Sequence, residues 1–412
     1  MLVRICIIIL LFYVPIYGNG FSVLTHEALI DASWEKSILP LLKLKYPGST
    51  PDQLKDARAY VYGGAVAPDM GYYPFGSALY TDLVHYVRSG DFVTALIKES
   101  SNLNEYAFAI GFLCHYNADN YGHPLATNKS VPLVYPKEKS KFGSVVTYAD
   151  DKISHMRMEF GFDVLQTARG NYATQAYHDY IGFKVDTAVL SRAFLSVYGL
   201  NINEIFKHHL ALSVETFRWT IKNVFPIITR SAWAAKKSDI LKQNPTATSK
   251  SFSWSMHKKE YNKEFGTGYK RPGFFATLFS FFVRVLPKVG PARSLKFKAP
   301  TPEAEKLFIR SFDTVLLHYS KDLQELKTRK IALADKDFDT GNKTEACEYP
   351  LADATYNKFL LKLDKEHFIN INDTLKQNII NYYKTTNSSI TQNMARPCRE
   401  IARALSNLKQ HK

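Results

Sequence analysis

Apolar positions along this chain recur mostly at helical spacing, and the strict alternation of a half-buried strand is scarce. His26 to Leu44 predicts an amphipathic helix with Thr25 as its cap and a kink at Pro40. A second helix opens at Pro51-Asp52 and runs through Tyr62, where Gly63-Gly64 should stop it. Gly71 to Ser77 reads as a Gly/Tyr/Pro loop. Phe92 to Cys114 predicts a helix that starts near Asp91 and runs into His115, with Gly122 and Pro124 ending it. Tyr148 to Val164, Ala188 to Ile228 and Pro300 to Leu333 are further helical stretches. A loop follows through Asn342, and two more helical stretches reach Leu408. The expectation is an all-α, multi-helix bundle with an additional helical C-terminal region. No internal repeat and no Gly-rich phosphate loop interrupts that pattern.

Composition sharpens this into a layout. With 412 residues, 46% hydrophobic and 22% charged, the chain can bury a sizeable core and is not disordered over most of its length. Residues 1–20 read as a signal peptide: Arg4, a short apolar run from Ile7 to Val14, then small residues at Gly18-Asn19-Gly20. That run is too short to span a bilayer, so cleavage before Phe21 and export, to the periplasm or the exterior, are expected. The layout is then 21–235 as a helical domain, 236–300 as a basic, partly apolar insertion, and 301–412 as a C-terminal helical region. The net charge of +15 is uneven: Lys236 to Lys298 holds fourteen Lys or Arg against three acids, a net of +11. This segment, with Phe274 to Leu286 between cationic flanks, suits an anionic membrane surface; a buried helix beside a solvated basic loop fits it equally. The mature chain would keep Cys114, Cys347 and Cys398, an odd number with no disulfide framework, although Cys347 and Cys398 could pair. Glycosylation-type triplets occur at Asn128, Asn342, Asn372 and Asn387.

Candidate chemistry is concentrated before residue 160. His115 and Asp119 are four apart, as are His155 and Glu159, a spacing that puts both members on one helix face. His123 follows His115 by eight, and Asp69 and His85 stand isolated in apolar surroundings. One His-x-x-x-acid pair is common on solvated helices. Two pairs with a third His, an Asp and another His favour a metal centre built from side chains projecting into a bundle. Each imidazole then needs an Asn, an Asp or a carbonyl behind it, and Asn117, Asp150 and Asp151 lie near enough in sequence to be candidates.

At these residues the chain resembles the zinc-dependent phospholipase C family and the related S1/P1-type nucleases, over roughly Phe21 to Phe160. The resemblance implies three zinc ions. Asp69, His85, His115 and Asp119 would hold one. Asp119 would bridge to a second, held also by His26 and by the amino nitrogen and carbonyl oxygen of a processed Phe21. His123, His155 and Glu159 would hold the third. Asp69 is the candidate for orienting or deprotonating the attacking water, with a pure ligand role as the alternative.

The resemblance also implies a secreted phosphodiesterase, most simply a phospholipase C acting on phospholipids. Two alternatives stay open: a single-strand nuclease, for which nucleic acid would be the partner, and a non-catalytic lipid-binding protein on the same fold. Glu159 follows the phospholipase branch, whereas the distance from Phe21 to His26 is closer to the nucleases. Tyr72, Tyr73, Phe75 and Tyr80 are candidates for lining a head-group or base pocket.

Overall fold

The computed structural model describes residues 23–168, 184–221, 232, 236–242, 245, 297–328, 331–384 and 396–411. Among them the architecture is all-α, with a lone antiparallel bridge between Lys336 and Lys343 and no strand. The helices are α1 (Val23–Ser33), α2 (Leu39–Lys45), α3 (Pro51–Val66), α4 (Ala78–Tyr86), α5 (Ser89–Glu99), α6 (Leu103–Gly122), α7 (Asn128–Val134) and α8 (Pro136–Phe142). They continue as α9 (Lys152–Ala168), α10 (Thr187–Tyr198), α11 (Ile202–Ile205), α12 (Leu210–Trp219), α13 (Pro302–Thr328), α14 (Pro350–Lys365), α15 (Asp373–Lys384) and α16 (Arg396–Gln410). Phe21, the Cys398 side chain, the first twenty residues and almost all of the basic segment fall outside the described residues. Cys347 is an exposed free thiol and Cys114 a buried one. No helix among the described residues is long and apolar enough to cross a membrane.

Helix α6 runs through the centre of the bundle and is buried along nearly its whole length. Helix α3 lies directly against it, and glycines make that approach possible. A Cβ on Gly64 would collide with the Phe108 carbonyl, and one on Gly111 with the Val61 carbonyl. Gly63 and Gly64 are therefore interior residues of a helix that continues to Val66, not its stop. Their small size serves tertiary contact, which local sequence does not reveal.

Other predicted boundaries shift for similar reasons. Thr25 lies inside α1, and a π turn (Trp34–Ile38) rather than Pro40 interrupts the first helical stretch, with Pro40 in the first turn of α2. The stretch from Phe92 to Cys114 is two helices, because Asn102 caps the second by accepting from the Asn104 and Glu105 amides. Gly122 and Pro124 do not end the winding. A π turn (His123–Thr127) carries it into α7. Pro124 has no N–H for the Asn120 carbonyl four residues back, and Gly341 comes against that carbonyl instead. The stretch after Ala188 breaks at Gly199, in the left-handed conformation, and again before α12. The C-terminal part holds three helices (α14–α16) where the sequence predicted two.

One hydrophobic cluster of buried residues extends from Val23 to Leu408. Helix α13 lies across the bundle: Tyr319 donates to the Ile110 carbonyl (3.0 Å), Asn117 donates to Asp322 (2.8 Å), and Phe308 stacks on Phe162. Between α13 and α14 the segment 331–349 turns back over the far end of α6. Tyr116 holds it through the Ala334 carbonyl (2.8 Å) and Ser89 through the Lys336 carbonyl (2.7 Å).

Candidate metal centre

Asp69 sits on a 3-10 turn (Ala67–Tyr72) clamped to α4. Tyr80 donates to the Ala67 carbonyl (3.1 Å), Thr81 donates to the Pro68 carbonyl (2.8 Å), and the Gly71 amide donates to Thr81 (3.0 Å). The same helix carries His85, so the segment that presents Asp69 is fixed to the element that presents its neighbour. Tyr80 is thereby a core residue, against Phe194 and Phe206, not a pocket aromatic. Tyr72 and Tyr73 are also buried, the latter against Phe217, whereas Phe75 is exposed. Helix α6 brings His115 and Asp119 on one face and ends at His123. Helix α9 brings His155 and Glu159. At the start of α1, Asp163 of α9 accepts from the Leu24 amide (3.0 Å) and the Thr25 hydroxyl (2.7 Å), which fixes His26 at the centre.

These five imidazoles and three carboxylates, dispersed over 134 positions from His26 to Glu159, converge and are all buried. Around Asp119 Oδ2 stand His115 Nε2 at 3.0 Å and His85 Nε2 at 3.6 Å, with His85 Nε2 also 3.4 Å from Asp69 Oδ1. Around Asp119 Oδ1 stand His26 Nε2 at 3.6 Å and His123 Nε2 at 3.7 Å. Glu159 Oε1 faces His155 Nδ1 at 3.4 Å and His123 Nε2 at 3.5 Å. The two oxygens of Asp119 thus face two different sets of imidazoles.

Spacing provides a test of whether these groups fit a metal. Ligands about 2.0–2.1 Å from a tetrahedral zinc lie about 3.3 Å from one another. The distances here, 3.0 to 3.7 Å, bracket that value. Glu159 Oε1 and His155 Nδ1 are moreover buried with no hydrogen-bond partner, which is costly unless an ion completes them. Imidazole nitrogens with carboxylate oxygens are a zinc-compatible donor set. The residues fit the metal.

In four of the five imidazoles the nitrogen that faces away from the centre is held. His85 Nδ1 donates to the Thr81 carbonyl (2.9 Å) and His115 Nδ1 to the Ala65 carbonyl (2.9 Å). His123 Nδ1 donates to Asp339 Oδ1 (3.2 Å), and His155 Nε2 donates to Asn128 Oδ1 (2.9 Å). Such partners fix the tautomer and leave the other nitrogen for the metal. Sequence proximity pointed elsewhere for them. Asn117 is engaged with Asp322, Asp150 accepts from Thr147, and Asp151 accepts from the first turn of α9. Asn128 lies within a glycosylation-type triplet but is buried in the centre.

Asp339 was not anticipated. It lies 216 positions from His123, in a segment without helical periodicity. Its oxygen is 3.6 Å from His155 Nε2, and His123, His155 and Asp339 form a buried group close enough to hold an ion. The Tyr148 amide (2.9 Å) and the Tyr349 hydroxyl donate to its other oxygen. Phe338, beside it, packs on the rings of His85 and His115. The available signal was the alternation Asp335, Asp337, Asp339 before Thr340-Gly341, an acid-rich turn whose partners are all remote.

The charges organise themselves accordingly. Burial would raise the Asp119 carboxyl, but His115 and His123 outweigh it and hold it well below the usual range. Burial alone would lower His115, yet Asp119 beside it pushes it up to about 9. His155 is lowered to about 3 by burial, so it is neutral and ready to ligate. Glu159 is raised by burial and then by the neighbouring carboxylates Asp119 and Asp69. Four buried acids, Asp69, Asp119, Glu159 and Asp339, gathered among these imidazoles are an arrangement that calls for cations.

A helical bundle that gathers such a cluster on its central helix defines a metal-centre protein of the all-α class. Residues 25–207 match the family described as zinc dependent phospholipase C. No curated protein and no solved structure matches the chain significantly. The segment that supplies Asp339 lies beyond the matched residues.

Proposed function

We propose that the protein is an exported zinc-dependent phosphodiesterase of phospholipase C type. It hydrolyses phospholipids to a phosphorylated head group and a diacylglycerol. The observation that carries this reading is Asp119, whose two oxygens face separate sets of imidazoles, as a carboxylate bridging two ions must. Three zinc ions are expected: one with Asp69, His85, His115 and Asp119, one with Asp119, His26 and the processed Phe21 terminus, and one with His123, His155 and Glu159. Cleavage before Phe21 would supply the α-amino group that completes the second.

Zinc, when bound, supplies Lewis acidity that makes water a nucleophile near neutral pH and neutralises charge on phosphoryl oxygens. The chain's own residues do the rest. Asp69 is positioned by the bonds of Tyr80 and Thr81 to its turn, beside His85, where its carboxylate can accept the proton of an attacking water. His123, His155 and Glu159 would hold a further zinc ion, whose charge would stabilise a departing oxygen. The buried setting strengthens each of these interactions. The basic segment 236–298 supplies attraction to an anionic membrane surface.

Metal analysis of the mature protein, paired with hydrolysis of phosphatidylcholine, anionic phospholipids and single-stranded DNA, tests the reading. Zinc with release of phosphorylated head group is expected. Zinc with cleavage of DNA alone would make the protein a nuclease, and neither zinc nor activity would make it a non-catalytic lipid-binding protein.

A further inference from the structure

We infer that residue 339 sets both imidazoles of the site formed by His123, His155 and Glu159, which makes the chain beyond the family match a working part of the metal centre. This rests on the reading in which those three residues hold an ion. Two separate paths leave residue 339. Its side chain accepts from His123 Nδ1 (3.2 Å), which turns Nε2 towards Glu159 and Asp119. Its main-chain carbonyl accepts from Asn128 Nδ2 (2.8 Å). That bond settles which end of the Asn128 amide faces inward, so Oδ1 is the atom that receives His155 Nε2 (2.9 Å) and leaves Nδ1 facing Glu159.

Residue 339 can perform both tasks because it is fixed from several directions. The Tyr148 amide and Tyr349 hydroxyl hold its side chain. Asp337 accepts from the Asp339 amide (3.2 Å) and the Thr340 amide (2.7 Å), which shapes the turn. Gly341, at φ 72°, lets the chain leave against the Asn120 carbonyl, where a side chain would clash. The Phe338 amide donates to the His85 carbonyl (3.2 Å), tying the turn to α4 as well. Asp339 is therefore a positioning residue that acts through His123 and, by way of Asn128, through His155.

The test measures zinc stoichiometry and the affinity of the weakest zinc by competition with a chelator, on the mature full-length protein. Asp339→Ala should weaken that zinc by about 10–100-fold and spare the other two, and Asn128→Ala should do the same by the second path. Asp339→Asn keeps an oxygen acceptor and should fall between wild type and Asp339→Ala. Ser89→Ala loosens the same segment through Lys336 without touching a histidine, and should keep full zinc affinity. Wild-type affinity in Asp339→Ala, or an equal loss in Ser89→Ala, would overturn the inference. Should Asp339→Ala not fold, Asn128→Ala decides, and unchanged affinity there is equally fatal. Wild-type protein without zinc would instead defeat the underlying reading.

Discussion

The two halves of the metal centre are held by different means. His85 and His115 donate to main-chain carbonyls, of Thr81 and Ala65. His123 and His155 donate to side chains, of Asp339 and Asn128. A carbonyl on a packed helix cannot be removed by any substitution, so the first half is as secure as the packing of α3, α4 and α6. The second half depends on two side chains and on a segment reached only after α13. The first half is thus a property of the bundle, and the second is a property of its closure by the C-terminal region.

The largest effect should come from striking the secure half at its ligand. His115→Ala removes an imidazole 3.0 Å from Asp119 and 3.3 Å from His85, and leaves Asp119 buried among fewer partners. Zinc content should fall and hydrolysis should drop to background, measured on purified mature protein. Full activity in this variant would defeat the site assignment. The contrast with Asp339→Ala, which should weaken the hold on one ion and not on the whole set, is the direct reading of the difference between the halves.

The secure half can also be struck through its packing. Gly64→Ala puts a Cβ into the Phe108 carbonyl, next to the residue whose carbonyl holds His115. Backbone cannot yield as a flexible side chain does, so the expected cost is about 3 kcal/mol, at the upper end for overpacking. Urea denaturation of the metal-free protein measures it, and a cost below about 1 kcal/mol would show that α3 and α6 are not locked.

How much of this was legible in advance follows the range of the contacts. The pairs His115/Asp119 and His155/Glu159 are written in helical spacing, and α6 and α9 present them as that spacing implies. The remaining candidate ligands needed the family resemblance, since Asp69 and His85 have no local pattern of their own. Gly63-Gly64 and Pro124 were misread because both normally end helices. Here the glycines admit a neighbouring helix, and a π turn with Gly341 beside it accommodates the proline. Asn128 stood in a glycosylation-type triplet, and Asp339 stood in a loop. Both acquire meaning only when the chain has folded back across more than two hundred positions.

A third prediction separates charge from packing in the secure half. In the metal-free protein His115 has a pKa of about 9, since Asp119 more than offsets the lowering by burial. It therefore carries a proton at neutral pH, and zinc must displace that proton to bind. Below pH 9 each unit of acidification should cost about tenfold in apparent affinity through this one group, so between pH 8 and pH 6 the loss is about 100-fold. Zinc titration against a competing chelator at the two pH values reads this. An affinity independent of pH over that interval would mean that His115 is already neutral, contrary to its position against Asp119.

The smallest effect should appear where the C-terminal segment is anchored but no histidine is involved. Tyr116 donates to the Ala334 carbonyl (2.8 Å), five residues before Asp339, and its ring packs edge-on against Phe338. Tyr116→Phe keeps the ring and removes only the hydroxyl. One net hydrogen bond is lost, worth about 1 kcal/mol in denaturant stability. Zinc content and weakest-site affinity should not change, because residue 339 keeps its amide, hydroxyl and turn contacts. If this variant sheds zinc as Asp339→Ala does, then any loosening of the segment opens the second half, and the dependence belongs to the whole segment instead of to the two groups of residue 339. If it loses stability and nothing else, the hold on His123 and His155 is local to that residue.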